Sequence, residues 1–321
     1  MRSFVIYNKN GISIKLLSYG GIINEINVPD KYGKIENIVL SYSKLRDYIN
    51  DEFYIGALIG RYANRVKNSS FTINGINYEL EPNEGLNHLH GGKSGFHKVE
   101  WTVDSQSKYS VTLSNFYKHL ENGYPGNLKV KVKYTISKNN IFDVEFFANS
   151  DLDTHFNPTI HPYFNLNPAS KTILNHNLKI NSKNYLPIDD QYIPTNETKN
   201  VKSTPFDFQV SKKIGIDIQL KNKQLEIAKG YDHCFVLDKE QNFAAKLSES
   251  ESGRLIQIYT DQPGIQLYTG NHLKGLFLKN QGLCLETQHF PNSPNISSFP
   301  STLLKANTNY YSKTSYHFKN F

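Results

Sequence analysis

Apolar and polar residues alternate with period two over most of this chain, and that alternation restricts its fold more than any other feature. In "KVKVKYTI", Val130, Val132, Tyr134 and Ile136 share one face while Lys129, Lys131 and Lys133 share the other. This is the spacing of a strand buried on one side and wet on the other. "FTINGINYEL" places Asn74-Gly75 between two alternating runs, Phe71 and Ile73 before it and Ile76, Tyr78 and Leu80 after it. Such a pair predicts a two-residue hairpin. "ISIKLL", "IINEINV", "NIVLSY", "VTLSNF", "FDVEFFA", "CFVLD", "LIQIYT" and "IQLYTG" read as further strands. The clearest helical candidate is "SKLRDYIND", with Ser43 as cap and Leu45, Tyr48 and Ile49 on one face.

Many short strands, frequent turn signals and 13% aromatic residues predict an all-β protein, a large antiparallel β-sandwich. No repeat, low-complexity block or Pro/Gly linker divides the 321 residues, so residues 1–321 are expected to form one domain. The weakly patterned stretch 181–230 reads as loops and short strands decorating that domain.

The formal charge of +7 raises the question of an acidic partner. The lysines are scattered, and the five arginines stand at positions 2, 46, 61, 65 and 254. No basic stripe forms, and no nucleic-acid partner is expected. Cys234 and Cys284 are the only cysteines and lack CxxC spacing, against a disulfide framework or structural zinc. With no stretch long enough to span a bilayer and no secretory signal in "MRSFVIYNKNGISIKLLSYGG", a soluble cytoplasmic protein without membrane contact is expected. The sequence leaves monomer and homodimer open.

Four stretches gather ionisable residues beside apolar strands. "GRYANR" carries Arg61, Asn64 and Arg65, and alone reads as a strand end with surface arginines. "NHLHGGKSGFH" carries His88, His90 and His97. On a strand His88 and His90 point the same way, but no HExxH, cysteine cluster or carboxylate triplet completes a metal site, so none is expected. The glycines after His90 suggest tight backbone beside a ligand. "NPTIHPYFNL" holds His161 between Pro158 and Pro162, which exclude helix, and sets Tyr163 and Phe164 beside it. From spacing alone His161 is equally a structural histidine.

Asp232 opens the strand "DHCFVLD", and Glu286 stands between an apolar run and the turn "FPNSPN". Each lies two residues from a cysteine, Cys234 or Cys284, and so shares its face. Carboxylates, histidines, an arginine and aromatics without a P-loop, GxGxxG or GxSxG point to unaided acid–base chemistry.

The order of "SYGGIINEINV", "IGRYANR", "NHLHGG", "HPYFNL", "GYDHCFVL", "PGIQLYTGNHL" and "LETQHFPNSPN" along nearly the whole chain resembles the aldose 1-epimerase (galactose mutarotase) family. The resemblance implies a supersandwich fold, anomer interconversion of free hexoses such as galactose and glucose, and no metal or cofactor. It implies Glu286 as general base and His161 as general acid. Asn64, Arg65, His90, Asp232 and Gln266 would hold the monosaccharide, Tyr163 would line the pocket, and Arg61 would be structural. A non-catalytic sugar-binding protein and a hexose-phosphate epimerase remain as alternatives. Opening a hemiacetal needs a base on the anomeric hydroxyl and an acid on the ring oxygen, which suits an ionised glutamate and a histidine kept protonated by nearby carboxylates such as Asp232. A strand end is expected to fix the backbone of Glu286.

Overall fold

The computed structural model describes residues 1–321 except 239 and 241. Its largest sheet runs Thr102–Gln106, Ser110–Tyr117, Leu128–Ile136, Ile141–Ser150, Asn309–Asn320, Arg254–Thr260, Phe243–Ser248, Asn177–Ile180 and Lys212–Lys213, nine strands in spatial order. The neighbours pair antiparallel. Alternation decides which face is covered: Val130, Val132, Tyr134 and Ile136 are buried while Lys129 and Lys131 are exposed.

A five-stranded sheet orders Lys199–Asn200, Asn184–Tyr185, Asp232–Val236, Gly264–Tyr268 and Cys284–Gln288. An N-terminal meander of four strands, Ser3–Tyr7, Ser13–Leu17, Ile23–Pro29 and Ile35–Asn37, packs its first strand against Ser110–Tyr117 and Leu128–Ile136. A continuous apolar core that includes Phe4, Leu16, Val132, Ile258, Leu285 and Phe318 joins all three sheets. Arg254 is buried in this packing, donating to the carbonyls of Val28, Leu166 and Lys34 and to Glu36 at 3.0 Å.

The hairpin forms as its turn pair predicts. Ile73 faces Ile76 across Asn74 and Gly75, whose φ angles of 52° and 79° give the strand-matching twist. Two expectations fail. "SKLRDYIND" is a 3-10 turn, Leu45–Asn50, without a Ser43 cap, and of its three apolar residues only Tyr48 is buried. The Tyr48 hydroxyl, accepting from Asn24 at 2.8 Å and from the Tyr42 N–H at 3.2 Å, anchors the segment in place of an apolar face. Of "NIVLSY" only Asn37 lies in a strand, as the last residue of Ile35–Asn37, and Val39 adds a bridge to Phe164. The short α-helix Lys223–Ala228, capped by the Asn222 side chain, lies within the stretch read as loops. Six residues are too few to display a helical repeat.

Among the described residues seven histidines are buried: 88, 90, 97, 155, 161, 176 and 233. Burial pushes the pKa of His88, His155, His161 and His176 down to about 4, that of His97 and His233 to about 3, and that of His90 well below the ordinary value. Above about pH 6.5 these rings are neutral in folded and unfolded chain alike. Below it the unfolded chain binds protons that the fold refuses, so stability falls with acid until the folded values are reached. Burial raises the carboxyls of Asp51, Asp232 and Glu286, which act with opposite sign but are fewer. The Tm at pH 5 is therefore expected several degrees below that at pH 7. Melts followed by circular dichroism at fixed ionic strength check this, and an equal or higher Tm at pH 5 contradicts it.

Candidate active site

The five-stranded sheet presents two acid side chains on one face. Asp232 pairs with Tyr268, Gln266 with Glu286, and Tyr268 with Cys284, so these side chains share one face across three neighbouring strands. Glu286 is the central residue of Cys284–Gln288, not a strand end as expected, because the strand continues through Gln288 before the turn. His161 arrives on Thr159–His161, which pairs with Ala57–Ile59 and is tied to the Glu286 strand by Thr159 Oγ1 donating to the Thr287 carbonyl at 2.9 Å.

These elements enclose a cavity of about 270 Å³ lined by Asn64, Arg65, His90, His161, Tyr163, Asp232 and Glu286 together with Glu52, Phe53, Tyr54, Glu84, Leu89, Tyr268, His272 and Lys274. That is just below the roughly 300–1,000 Å³ of drug-sized sites and suits a monosaccharide. A larger groove of about 860 Å³ crosses the outer face of the nine-stranded sheet past Phe116, Phe147 and Tyr311. Its Asp104 and Lys131 neutralise each other at 2.9 Å, and it holds no acid–base pair like that of the smaller cavity.

In the smaller cavity His161 Nε2 lies 3.7 Å from Glu286 Oε1, with 5% and 2% of the two side chains exposed. Burial, followed by the nearby Asp232, pushes the Glu286 carboxyl well above its ordinary range, with Arg65 opposing. Burial pushes His161 down to about 4, its own main-chain carbonyl opposing weakly. The expectation that carboxylates keep His161 protonated is therefore reversed in the empty site: removal from water outweighs them, and the neutral pair is favoured. Burial likewise raises Asp232, against Arg65 and Gln266.

His90 Nδ1 accepts the Asn64 N–H at 3.2 Å, which leaves the ring proton on Nε2 and makes His90 a donor. Ligand atoms of His90, His161 and Glu286 lie within 4.8 Å of one another, a set that could suit a divalent cation. The Asn64 contact disfavours that use, since a protonated nitrogen cannot ligate. His88 turns away from His90 to the Glu81 carbonyl at 2.7 Å and the Tyr124 hydroxyl at 2.8 Å. The left-handed φ of 53° at His90 breaks the strand alternation that would have aligned the two rings. The glycines behind it meet protein: a Cβ on Gly91 would stand 1.8 Å from the Gly60 carbonyl oxygen. Arg61 is buried against the carbonyls of Pro125 and Gly126 at 2.9 and 3.3 Å, away from the cavity lining.

Gln266 sits behind the lining. Its Nε2 donates to Asp232 Oδ1 at 2.6 Å, and its Oε1, like Glu286 Oε2, is buried without a protein partner. Tyr163 offers its ring alone, the hydroxyl donating to the Phe53 carbonyl at 2.9 Å.

Several lining residues carried no signal in the sequence. Glu84 grips Arg65 through Nε at 2.6 Å and Nη2 at 2.8 Å, and the Tyr192 ring lies 4.9 Å from the guanidinium carbon. Tyr54, at a left-handed φ of 58°, packs its ring 4.6 Å from His90 and 6.0 Å from His161.

Fold and cavity together define a class of large antiparallel sandwich proteins with a buried carboxyl–imidazole pair in a polar, monosaccharide-sized site. The aldose 1-epimerase family profile matches residues 2–317. Galactose mutarotase of Sus scrofa is 38% identical over 310 residues, covering 93% of this chain and 89% of that protein. Aldose 1-epimerase of Escherichia coli is 32% identical over 329 residues, covering 99% and 95%. An aldose epimerase homologue from C. elegans superposes with a TM-score of 0.93 at 29% identity over 99% of both chains. The galactose 1-epimerase of Lactobacillus acidophilus gives 0.89 at 29% over 99% of this chain and 94% of its own. The chain belongs to the aldose 1-epimerase family.

Proposed function

We propose that the protein interconverts the α and β anomers of free aldohexoses, with galactose and glucose as substrates. The observation that carries this reading is the buried Glu286–His161 pair, 3.7 Å apart, in a cavity sized for one sugar ring. The hydroxyl oxygen and ring oxygen of a cyclic aldose are both bonded to C1, so two groups this close can each address one.

Glu286 takes the proton of the anomeric hydroxyl while His161 gives one to the ring oxygen. The C1–ring-oxygen bond breaks and a C1 carbonyl forms. After rotation about C1–C2 the transfers reverse on the other face, and no proton is consumed. The neutral Glu286–His161 pair favoured by burial is the proton arrangement that follows opening. Opening thus discharges two buried charges, a change that the pair's seclusion from water assists. Asn64, Arg65, His90 and Asp232 orient the hydroxyls, and Gln266 acts through its bond to Asp232.

The lining holds two cations, Arg65 and Lys274, and Arg65 is already gripped by Glu84 at 2.6 and 2.8 Å, so little free positive charge is left for a phosphate and an uncharged sugar is favoured over a hexose phosphate. Three of the five arginines, 61, 65 and 254, are internal and cannot meet a nucleic-acid backbone. The continuous core supports a single domain over residues 1–321, and two free buried thiols suit a reducing cytoplasm. Among the described residues no helix is long and apolar enough to cross a membrane.

Polarimetry of freshly dissolved α-galactose and α-glucose tests the reading. Rotation is expected to decay faster than in buffer, in proportion to protein concentration. Decay at the blank rate with folded protein, or sugar binding without acceleration, would refute it.

A further inference from the structure

The imidazole of His161 bridges two residues of one strand. Nε2 faces Glu286 Oε1 at 3.7 Å, and Nδ1 lies 3.4 Å from Cys284 Sγ. Cys284 and Glu286 share a face of Cys284–Gln288 by simple alternation, so the same backbone fixes what stands at each end of the ring. We propose that Cys284 is a positioning residue whose sulfur accepts the Nδ1–H of His161 and thereby reserves Nε2 for the proton exchanged with the sugar. The inference rests on the reading of His161 as the acid.

Proton accounting favours this direction for the contact. During opening, the Nε2 proton moves to the ring oxygen and a hydroxyl proton moves to Glu286, while Nδ1–H stays on the sulfur throughout. The opposite tautomer, with the thiol donating to Nδ1, would require a neutral imidazole to give up its last proton.

The chemistry of sulfur suits the task. Burial, followed by Glu286 and Asp232, holds the Cys284 thiol well above its ordinary range, so it remains uncharged. A neutral, weak acceptor orients the ring without stabilising its cation, whereas a carboxylate at that position would make His161 a poorer acid. The other titratable groups around the ring are Tyr163, His90, Tyr54 and Tyr268, with centroids at 5.0, 5.4, 6.0 and 6.4 Å. They confine its tilt, and Cys284 selects its tautomer.

The test compares Cys284→Ala and Cys284→Ser with the wild-type protein by polarimetric kcat and KM on galactose, and by nitrogen NMR of histidine-labelled protein. Cys284→Ala is expected to lower kcat about three- to tenfold, the rate equivalent of one ordinary hydrogen bond, with KM little changed. Cys284→Ser, which restores an acceptor, should recover most of that loss. The wild-type spectrum should show neutral His161 as the Nδ1–H tautomer, and the alanine variant a mixture. Undiminished kcat in a folded alanine variant, a serine variant no better than alanine, or an Nε2–H tautomer in the wild type would overturn the proposal. Should the wild-type protein fail to accelerate mutarotation, the functional reading falls instead, and the NMR arm still decides the tautomer. If Cys284→Ala does not fold, the serine variant and the wild-type spectrum carry the test.

Discussion

Glu286→Gln should fold and yet lose about 10²- to 10⁴-fold in kcat for mutarotation, the usual size of a general-base contribution. Glutamine keeps the shape of the side chain and both polar termini but cannot accept and return a proton. The site tolerates the exchange because it already disfavours the charge: burial and Asp232 press the Glu286 carboxyl toward its neutral form. An amide in the same place removes a desolvation penalty without opening a hole. Tm at neutral pH should therefore be unchanged or raised, whereas Glu286→Ala would leave a cavity beside His161. Paired melts and polarimetry on Glu286→Gln separate the two effects. Near wild-type turnover would remove Glu286 from the chemistry, and loss of folding would show that the buried site depends on the carboxyl itself.

What could be read in advance follows from which forces are local. Strands such as Leu128–Ile136 announce themselves because one buried face imposes period two on adjacent residues. The turn at Asn74-Gly75 does so because its backbone angles select its residues. The 3-10 turn at Leu45–Asn50 departs from its helical pattern because a tertiary anchor, the Tyr48 hydroxyl, outweighs local spacing.

The site shows the same division more sharply. Spacing alone left His161 undecided, and it was the order of motifs along the chain that assembled the residues now found around one cavity. Gln266, expected against the sugar, stands just outside the cavity lining and donates to Asp232, a matter of pairing between two strands that no local pattern reveals. Glu84 escaped notice because its partner Arg65 is 19 residues away across a loop. Protonation was the least legible property. Whether Glu286 and His161 are charged depends on how completely the surrounding sheets exclude water, and that is a property of the assembled fold.

His161→Asn completes the case because, in the proposed mechanism, it removes the other half of the exchange. Asparagine retains a polar group in the slot between Cys284 and Glu286 but offers no titratable nitrogen, and a loss of about 10²- to 10⁴-fold in kcat is expected. The ring packing against Tyr54 and His90, at 6.0 and 5.4 Å, is also lost, so some stability should be lost too. The decisive comparison is the double variant with Glu286→Gln. If the two side chains act as one proton-exchanging pair, removing the second costs little once the first is gone, as for residues that work as a unit. The double variant should then be about as slow as the slower single variant. Losses that multiply would mean two groups acting on separate steps, and the 3.7 Å contact between them would be incidental to the reaction.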